Sequence, residues 1–429
     1  MSSSLLWTSL FAAAFVGSLA LRAWLAARQV RHVARHRDEV PLPFRGAISL
    51  DAHRKAAAYT LAKARFGHWQ LVFGALVLLG WTLFGGLDAL NLALRDDIAT
   101  RWGGLAYQVA LVTAFVLIGS LLDLPFELYS TFRLEQRYGF NRTSWQLWLL
   151  DAGKGLLLGL VVGLPILALV LWIMAAAGSL WWLWAWAAWM AIITAAQVLV
   201  PTLIAPLFNR FVELADSALR ERIDALMARA GLAASGLFVM DGSRRSAHAN
   251  AYFTGLGKAK RVVFFDTLLA RLTPAEIEAV LAHELGHFKL RHIARRMVVM
   301  AAATLAFFAL LGWLSTRAWF YTGLGVGPNL GAPNDALALL LVLLALPVFT
   351  VFATPLATRW SRRDEFEADA FACAQASGDD LASALLKLHE DNAATLTPDP
   401  LYARFYYSHP PAVERLAALS LRSTNPAAP

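Results

Sequence analysis

The residues His283-Glu284-Leu285-Gly286-His287 form an H-E-x-x-H motif. Residues four apart on a helix share a face, so both imidazoles can reach one metal ion. Glu284 is offset from that face, so it can reach a water molecule on the metal but not the metal itself. The motif therefore predicts a zinc site with His283 and His287 as ligands and Glu284 as the general base of a hydrolase.

The segment before the motif carries the signals of a helix start. Thr273 is suited to the N-cap, Pro274 to the first helical position, and Glu276 to the third position of a capping box. Apolar residues then recur at helical spacing as far as Leu285. We expect one capped helix that carries both histidines.

A catalytic zinc site needs a third protein ligand and an open fourth position. The acidic stretch 361–369 offers Glu365 and Asp369, which are four residues apart and share a helix face. One of them can bind zinc while the other orients a ligand histidine. We predict Glu365 as the ligand and Asp369 as the residue behind it, with Glu367 pointing elsewhere. A solvated charged face is the alternative. The one cysteine in the chain excludes a thiolate cluster.

The composition places these residues in a membrane protein. Of the 429 residues 58% are hydrophobic and 16% are charged, whereas soluble domains carry about 25% charged residues. Mean hydropathy is +0.52. A membrane span needs roughly 20 mainly apolar residues. Seven segments qualify: Leu5–Ala27, Leu71–Leu90, Leu105–Leu124, Gly155–Ala177, Trp181–Leu203, Met297–Ser315 and Ala336–Ala357.

The loops between these segments alternate in charge. The stretch 28–68 contains nine Lys or Arg, and the loop between the fourth and fifth spans contains none. The positive-inside rule then places the amino terminus outside and the carboxyl terminus in the cytoplasm. The net charge of +8 is explained by these loops, so we expect no nucleic-acid partner.

This topology divides the chain into four parts. We expect an amino-terminal membrane region of five helices at 1–207, a metalloprotease segment at 208–296, two further spans at 297–358 and a second metalloprotease segment at 359–429. The two polar segments share the cytoplasmic side and can form one domain. The predicted fold is mainly α: a polytopic membrane protein with seven transmembrane helices and a zincin-like, gluzincin cytoplasmic domain that contains a small β-hairpin or sheet.

Several stretches together resemble the CAAX prenyl protease type 1 family of integral-membrane zinc metalloproteases. The similarity extends over most of the chain, and we expect a bacterial homologue. The stretches that carry it are 281–287, 363–371, 242–255, 261–269 and 407–416, with shorter matches at 134–135, 138–141 and 206–209.

The resemblance implies seven membrane helices around a large hydrated chamber, with one zinc ion at its cytoplasmic end. It also implies that His409 and Arg415 act near the catalytic centre. His409 would donate a hydrogen bond to the developing oxyanion, and Arg415 would support that charge or orient its neighbours. His248 is expected to be structural, and His292 and His53 are expected on helix faces or in loops.

The segment 249–254 alternates small and aromatic residues, as an edge strand does. We expect an extended substrate to pair with it by β-addition, with Asn250, Ala251 and Tyr252 as the substrate-binding residues. Asn250 would hydrogen-bond the peptide backbone. The alternative is an ordinary hairpin strand.

The expected function is that of a membrane-embedded zinc metalloendopeptidase, which hydrolyses peptides or protein termini, lipidated ones included, at the cytoplasmic face of a lipid bilayer. A membrane-protein quality-control protease of HtpX type is one alternative. A channel or transporter with a structural zinc site is another. Glu284 argues against the latter, because a structural site needs no general base and usually closes its fourth position.

The orientation can be tested by thiol labelling. In a Cys373→Ser background, a cysteine at Gly327 should react with an impermeant reagent from outside, and one at Ala427 should not. The reason is that Ala427 follows the basic cluster that opens the carboxyl-terminal tail. The reverse labelling pattern would invert the predicted topology.

Overall fold

The computed structural model describes residues 2–232, 236–254 and 261–424. Gly255 at the end of the quoted stretch 242–255, and the labelling position Ala427, lie outside the described residues. The chain is mainly helical, as predicted. The helices of the amino-terminal half are α1 (Ser3–His36), α2 (Leu50–Trp81), α3 (Gly86–Leu94), α4 (Thr100–Trp102), α5 (Gly104–Tyr129), α6 (Gln136–Tyr138), α7 (Trp145–Leu158), α8 (Leu164–Ala176), α9 (Trp181–Leu199) and α10 (Ala205–Phe208).

The carboxyl-terminal half contains the sheet and the remaining helices. The strands are β1 (Phe211–Glu213), β2 (Gly236–Met240), β3 (Ala251–Thr254) and β4 (Arg261–Phe265). The helices are α11 (Ser217–Arg229), α12 (Asp266–Leu269), α13 (Pro274–Lys289), α14 (His292–Leu314), α15 (Ala318–Thr322), α16 (Asp335–Thr350), α17 (Thr354–Gln375), α18 (Gly378–Asp391), α19 (Pro400–Tyr406) and α20 (Ala412–Thr424).

Within the described ranges, six helical segments are long and apolar enough to cross a membrane, and one bent pair makes a seventh. Each corresponds to one of the seven predicted spans. The single segments are Ser3–His36, Gly104–Tyr138, Trp145–Ala176, Gly178–Phe208, His292–Leu314 and Asp335–Gln375, and the bent pair is Leu50–Trp81 with Gly86–Trp102.

The second predicted span, Leu71–Leu90, is not one continuous helix. It breaks between α2 and α3, whose axes differ by 50°. Gly85 at the break has φ +76°, a left-handed conformation that favours glycine. Gly86 next to it has no room for a side chain, because a Cβ atom would lie 2.5 Å from the carbonyl oxygen of Gly80. Apolarity alone did not reveal this break.

The last two spans lead directly into the residues of the predicted metal site. α13, which carries the H-E-x-x-H motif, ends at Lys289, and the sixth span begins at His292. The seventh span continues through a short turn into α17, which carries Glu365. The candidate site is therefore held at the ends of two membrane helices.

The small sheet has the strand order β1-β2-β4-β3. β2 and β4 are parallel, and the two outer pairs are antiparallel. Among the described residues β3 pairs with β4 alone, so it is an edge strand, as the alternation of 249–254 predicted. Its free edge exposes backbone groups that can pair with another extended chain.

The membrane helices bury few of their residues. In Gly178–Phe208 none of the most apolar 18-residue stretch is buried, and in Gly104–Tyr138 only 11% is. Asp335–Gln375 is the exception, at 50%. A solid helix bundle buries an apolar stripe on each helix. Most residues of these stretches therefore face outward, where a membrane helix contacts lipid, or line a cavity.

The contact between α13 and α17 brings the two halves of the candidate site together. A Cβ atom on Gly286 would lie 3.0 Å from the Cα atom of Ala368 and 3.2 Å from its carbonyl oxygen. Both of these neighbours are backbone atoms of a helix, which cannot rotate away. Glycine at position 286 thus allows the two helices to approach closely enough for their ligands to meet.

We predict that Gly286→Ala destabilises the protein by about 1–3 kcal/mol, the usual cost of overpacking, and weakens metal binding without removing a ligand. Thermal unfolding in detergent and metal titration would measure both effects. The matched control is Gly155→Ala within α7, where a Cβ atom meets nothing within 4 Å. Equal behaviour of the two variants would contradict the proposed helix contact.

Candidate metal centre

Three predicted ligands lie together where α13 meets α17. The Nε2 atoms of His283 and His287 are 3.3 Å apart. His283 Nε2 lies 3.4 Å from one carboxylate oxygen of Glu365, and His287 Nε2 lies 3.3 Å from the other. One donor atom from each residue thus lies within 4.8 Å of the other two, so the three can converge on one ion.

The donor set fits a metal ion. Glu365 is 3% exposed, and its Oε2 atom is buried without a hydrogen-bond partner among the described residues. A buried anionic oxygen without a partner is costly, and a cation between it and the two imidazoles would remove that cost. Two histidines and one glutamate are a typical ligand set of catalytic zinc.

The start of α13 is fixed as the sequence predicted. Thr273 and Glu276 form a reciprocal capping box. Glu276 is buried and accepts hydrogen bonds from Lys387 at 2.8 Å and Ser383 at 2.6 Å, both on α18. Burial alone would raise the pKa of the Glu276 carboxyl, but Lys387, Ser383 and Thr273 outweigh it and lower the pKa to about 2. The helix is therefore anchored by an ionised group at neutral pH.

Asp369 lies behind His283, where it was predicted. Its carboxylate is 2.8 Å from His283 Nδ1, which directs the Nε2 atom of the ring toward Glu365. Burial lowers the pKa of His283, but the carboxylates of Asp369 and Glu365 outweigh it and raise the pKa to about 9. A metal ion must displace this proton in order to bind.

Arg415 contacts Asp369 through two nitrogen atoms of its guanidinium group. The Nε atom donates to Asp369 at 2.9 Å and the Nη2 atom at 2.5 Å. Arg415 is only 6% exposed, and its Nη1 atom is 4.0 Å from Glu365. Of the two roles expected for Arg415, this geometry favours the orientation of neighbours. Its catalytic role stays a prediction.

His292 is a residue at this site that the sequence analysis did not assign. It is 1% exposed, and its Nδ1 atom is 3.0 Å from Nδ1 of His287. Its Nε2 atom is 3.1 Å from the carboxylate of Glu367. If the His287 Nδ1–H donates to His292, the His292 Nε2–H donates to Glu367, and the Nε2 atom of His287 is free for a metal. His292 and Glu367 thus fix the ring of His287, as Asp369 fixes the ring of His283.

In the described part of the chain, a second group of donors also lies within 4.8 Å: His292, Asp364 and Glu367. Its carboxylates already have cationic partners. Asp364 forms an ion pair with Arg295, and Glu367 forms one with Arg363 at 2.9 Å. This group is therefore an ion-pair network behind His287 rather than a second metal site.

A cavity of about 960 Å³ opens beside the three ligands. His283, Glu284 and Glu365 line it. Glu284 is half-buried on the cavity wall, next to His283 in the chain. A water molecule or a substrate in this cavity can reach the Glu284 carboxylate, as a general base requires.

His409 also faces this cavity. Its Nε2 atom is 3.5 Å from Glu365, and the side chain is 67% accessible, which reflects the cavity rather than the outer surface. Desolvation lowers the pKa of His409, and the nearby Glu365 opposes that shift in part. Arg362 on α17 donates to the carbonyl oxygens of Arg404 at 3.1 Å and Tyr407 at 2.8 Å. This contact holds the turn that carries His409 against the ligand helix.

Two of the three predicted substrate-binding residues line the cavity. These are Asn250, which is exposed, and Ala251 at the start of β3. Tyr252 does not line the cavity, and its ring packs edge-on against Phe265 with ring centroids 6.3 Å apart. The structure thus brings two of the three residues to the cavity and leaves the Tyr252 ring against the sheet.

The arrangement matches the parts of a metal-dependent peptidase. It combines three convergent ligands, a carboxylate next to them with no hydrogen-bond partner in the described part of the chain, and a cavity of about 960 Å³ with an edge strand on its wall.

The comparisons agree over most of the chain. Residues 29–210 match the family described as CAAX prenyl protease N-terminal, five membrane helices, and residues 213–423 match peptidase family M48. A CAAX prenyl protease 1 homolog of Arabidopsis thaliana is 35% identical over 393 residues, which cover 89% of this chain and 90% of the relative. CAAX prenyl protease 1 of Saccharomyces cerevisiae is 31% identical over 434 residues, which cover 96% and 95%.

A solved structure shares the fold. The crystal structure of S. mikatae Ste24p superposes with a TM-score of 0.89 at 29% sequence identity, covering 96% of this chain and 99% of that chain. The chain therefore belongs to peptidase family M48 and is a multi-pass membrane metallopeptidase of the CAAX prenyl protease 1 type.

Proposed function

We propose that this protein is a zinc endopeptidase that removes residues from the carboxyl terminus of prenylated CaaX proteins. The observation that carries the proposal is the group His283, His287 and Glu365 with Glu284 beside it on the wall of a large cavity. The names of the relatives support the CaaX substrate, and the membrane location suits a lipid-anchored one.

His283, His287 and Glu365 would hold the zinc ion. When bound, zinc polarises the scissile carbonyl and lowers the pKa of bound water toward about 7. Glu284 takes a proton from the attacking water and passes it to the leaving amine. His409 donates a hydrogen bond to the developing oxyanion. Arg415 contributes through Asp369, which keeps His283 in one tautomer.

The substrate would lie extended along β3. Backbone pairing to the free edge of this strand gives affinity that is independent of side chains, and Asn250 adds a hydrogen bond from the cavity wall. The edge position of β3 and the cavity contacts of Asn250 and Ala251 support this placement.

We place the protein in a bacterial inner membrane with its amino terminus outside and its active site in the cytoplasm. The alternating loop charges support this orientation. The membrane helices are then in contact with bilayer lipid.

The alternatives have less support. Relatives that match nearly the whole chain are named CAAX prenyl proteases, which does not favour quality control of HtpX type. A structural zinc site in a channel would leave the position of Glu284 without a purpose.

We predict that Glu284→Gln retains zinc and fold but loses peptide cleavage, because the amide cannot accept the proton of the water. Cleavage of a quenched CaaX-type peptide by purified protein, with metal analysis in parallel, would measure this. Glu221→Gln on the exposed side of α11 is a matched control and should keep full activity. Wild-type activity in Glu284→Gln would refute the proposed function.

The metal ligands can be separated from their supports. Glu365→Ala should lose zinc, as should His283→Ala and His287→Ala. Glu367→Ala should keep one equivalent, with affinity reduced about tenfold, because Glu367 acts only through His292. Metal content and chelator competition distinguish these outcomes. Zinc loss in Glu367→Ala with zinc retained in Glu365→Ala would show that the third ligand is misassigned.

His409→Ala should lower kcat by about 10²–10³ with little change in KM and no loss of zinc, because an oxyanion donor acts only in the transition state. His409→Phe should be no better, since it restores bulk without the donor. Steady-state kinetics and metal analysis check this. Loss of zinc would instead make His409 a ligand, and unchanged kcat would remove it from the mechanism.

A further inference from the structure

The cavity wall has charges of opposite sign in different places. Glu284 and Glu365 are the carboxylates that line it among the described residues, and both belong to the candidate metal centre. Away from them the same wall carries Arg22 of α1 and Lys63 of α2. These two cations have no assigned role in the mechanism above.

Neither cation is neutralised by the protein. Among the residues that the structure describes, Arg22 and Lys63 form no ion pair, although most arginines near the site do. Lys63 lies over the ring of Tyr59, with its Nζ atom 5.0 Å from the ring centroid. Arg22 lies inside the first membrane span. A charged side chain in a span is costly, and one that faces a cavity marks a site for a ligand of opposite charge.

The two cations present one surface to the cavity. Arg22, Ala26 and Gln29 recur at helical spacing on α1, and Thr60, Lys63 and Gly67 do so on α2. Each helix thus turns one stripe of residues, with one free cation, toward the cavity interior.

The cations and the candidate metal centre share one cavity. Arg22 and Lys63 line it together with His283, Glu284 and Glu365. Its volume of about 960 Å³ is large enough for a short peptide. An extended peptide in this cavity can therefore meet the metal centre and place its chain end near the cations.

We propose that Arg22 and Lys63 bind the free α-carboxylate at the carboxyl terminus of the substrate, and so fix which bond meets the metal centre. This deepens the proposed function, on which it rests. The site would select chain ends over internal segments, because only a chain end brings a terminal carboxylate into the cavity. An arginine and a lysine together offer charge-assisted hydrogen bonds to both carboxylate oxygens.

The test uses one internally quenched peptide in two forms, with a carboxyl-terminal carboxylate or carboxamide. Wild-type enzyme should show a KM about ten- to hundredfold lower for the acid, the usual effect of hydrogen bonds to a charged group. Arg22→Gln with Lys63→Gln should abolish this difference by raising the KM for the acid alone. The single variant Lys63→Gln, at an exposed position, gives a smaller effect in the same direction if the double variant is unstable.

Arg31→Gln and Arg65→Gln are matched controls. Both residues are exposed, lie on the same two helices and do not line the cavity. They should keep the preference of the wild type for the acid. Loss of that preference in the controls would attribute it to overall charge and overturn the proposal.

Binding of both peptides to Glu284→Gln protein separates this proposal from the proposed function. Tighter binding of the acid, lost in Arg22→Gln with Lys63→Gln, supports the carboxylate site even if wild-type protein cleaves neither peptide. Equal binding of acid and amide overturns it. If the cations bind a lipid headgroup instead, Arg22→Gln with Lys63→Gln will change the binding of acid and amide by the same factor, and the proposal is also wrong.

Discussion

The close approach of α13 and α17 is the constraint on which the site depends. Two of the candidate ligands lie on one helix and the third on another, about eighty residues later in the chain. They meet because Gly286 leaves room for the backbone at Ala368. The glycine lies within the motif itself, so the same five residues supply two ligands, the base and the space for the partner helix.

Around this contact, each polar group at the site is held by a second one. Asp369 fixes the ring of His283, and Arg415 fixes Asp369. His292 and Glu367 do the same for His287. Buried charges are tolerated only when they are paired, so these layers make it possible for anionic ligands to remain ionised away from water. The Glu365 oxygen that lacks a hydrogen bond among the described residues is the place where a cation would complete the network.

The sequence predicted what depends on local periodicity. The capped helix, the two histidines and the pairing of Glu365 with Asp369 all follow from helical spacing, which is regular within one element. His292 could not be found in this way. Arg291 adopts φ +59° between α13 and α14, so His287 and His292 lie on different helices. Their spacing in the sequence therefore does not predict that they contact each other. The break at Gly85 was not predicted for a related reason. Hydropathy is averaged over a window of residues, and the residues on both sides of this turn are apolar, so the average does not reveal the turn. The contact between Tyr252 and Phe265 depends on a strand register that only the folded sheet defines.

The link between the site and the membrane explains why the fold places a site for hydrolysis at the ends of two membrane helices. The substrate proposed above is lipid-anchored, and it cannot diffuse freely to a distant active site, because each buried methylene of its anchor contributes about 0.8 kcal/mol to membrane binding. Its peptide must therefore be cleaved close to the bilayer.

α14 and the segment Asp335–Gln375 carry the ligand helices to that level, and the cavity extends from them to α1 and α2. The peptide can then enter polar surroundings while its anchor stays in lipid. Hydrolysis requires water at the candidate metal centre, and the cavity lined by Glu284 and Glu365 is the place where water can reach it.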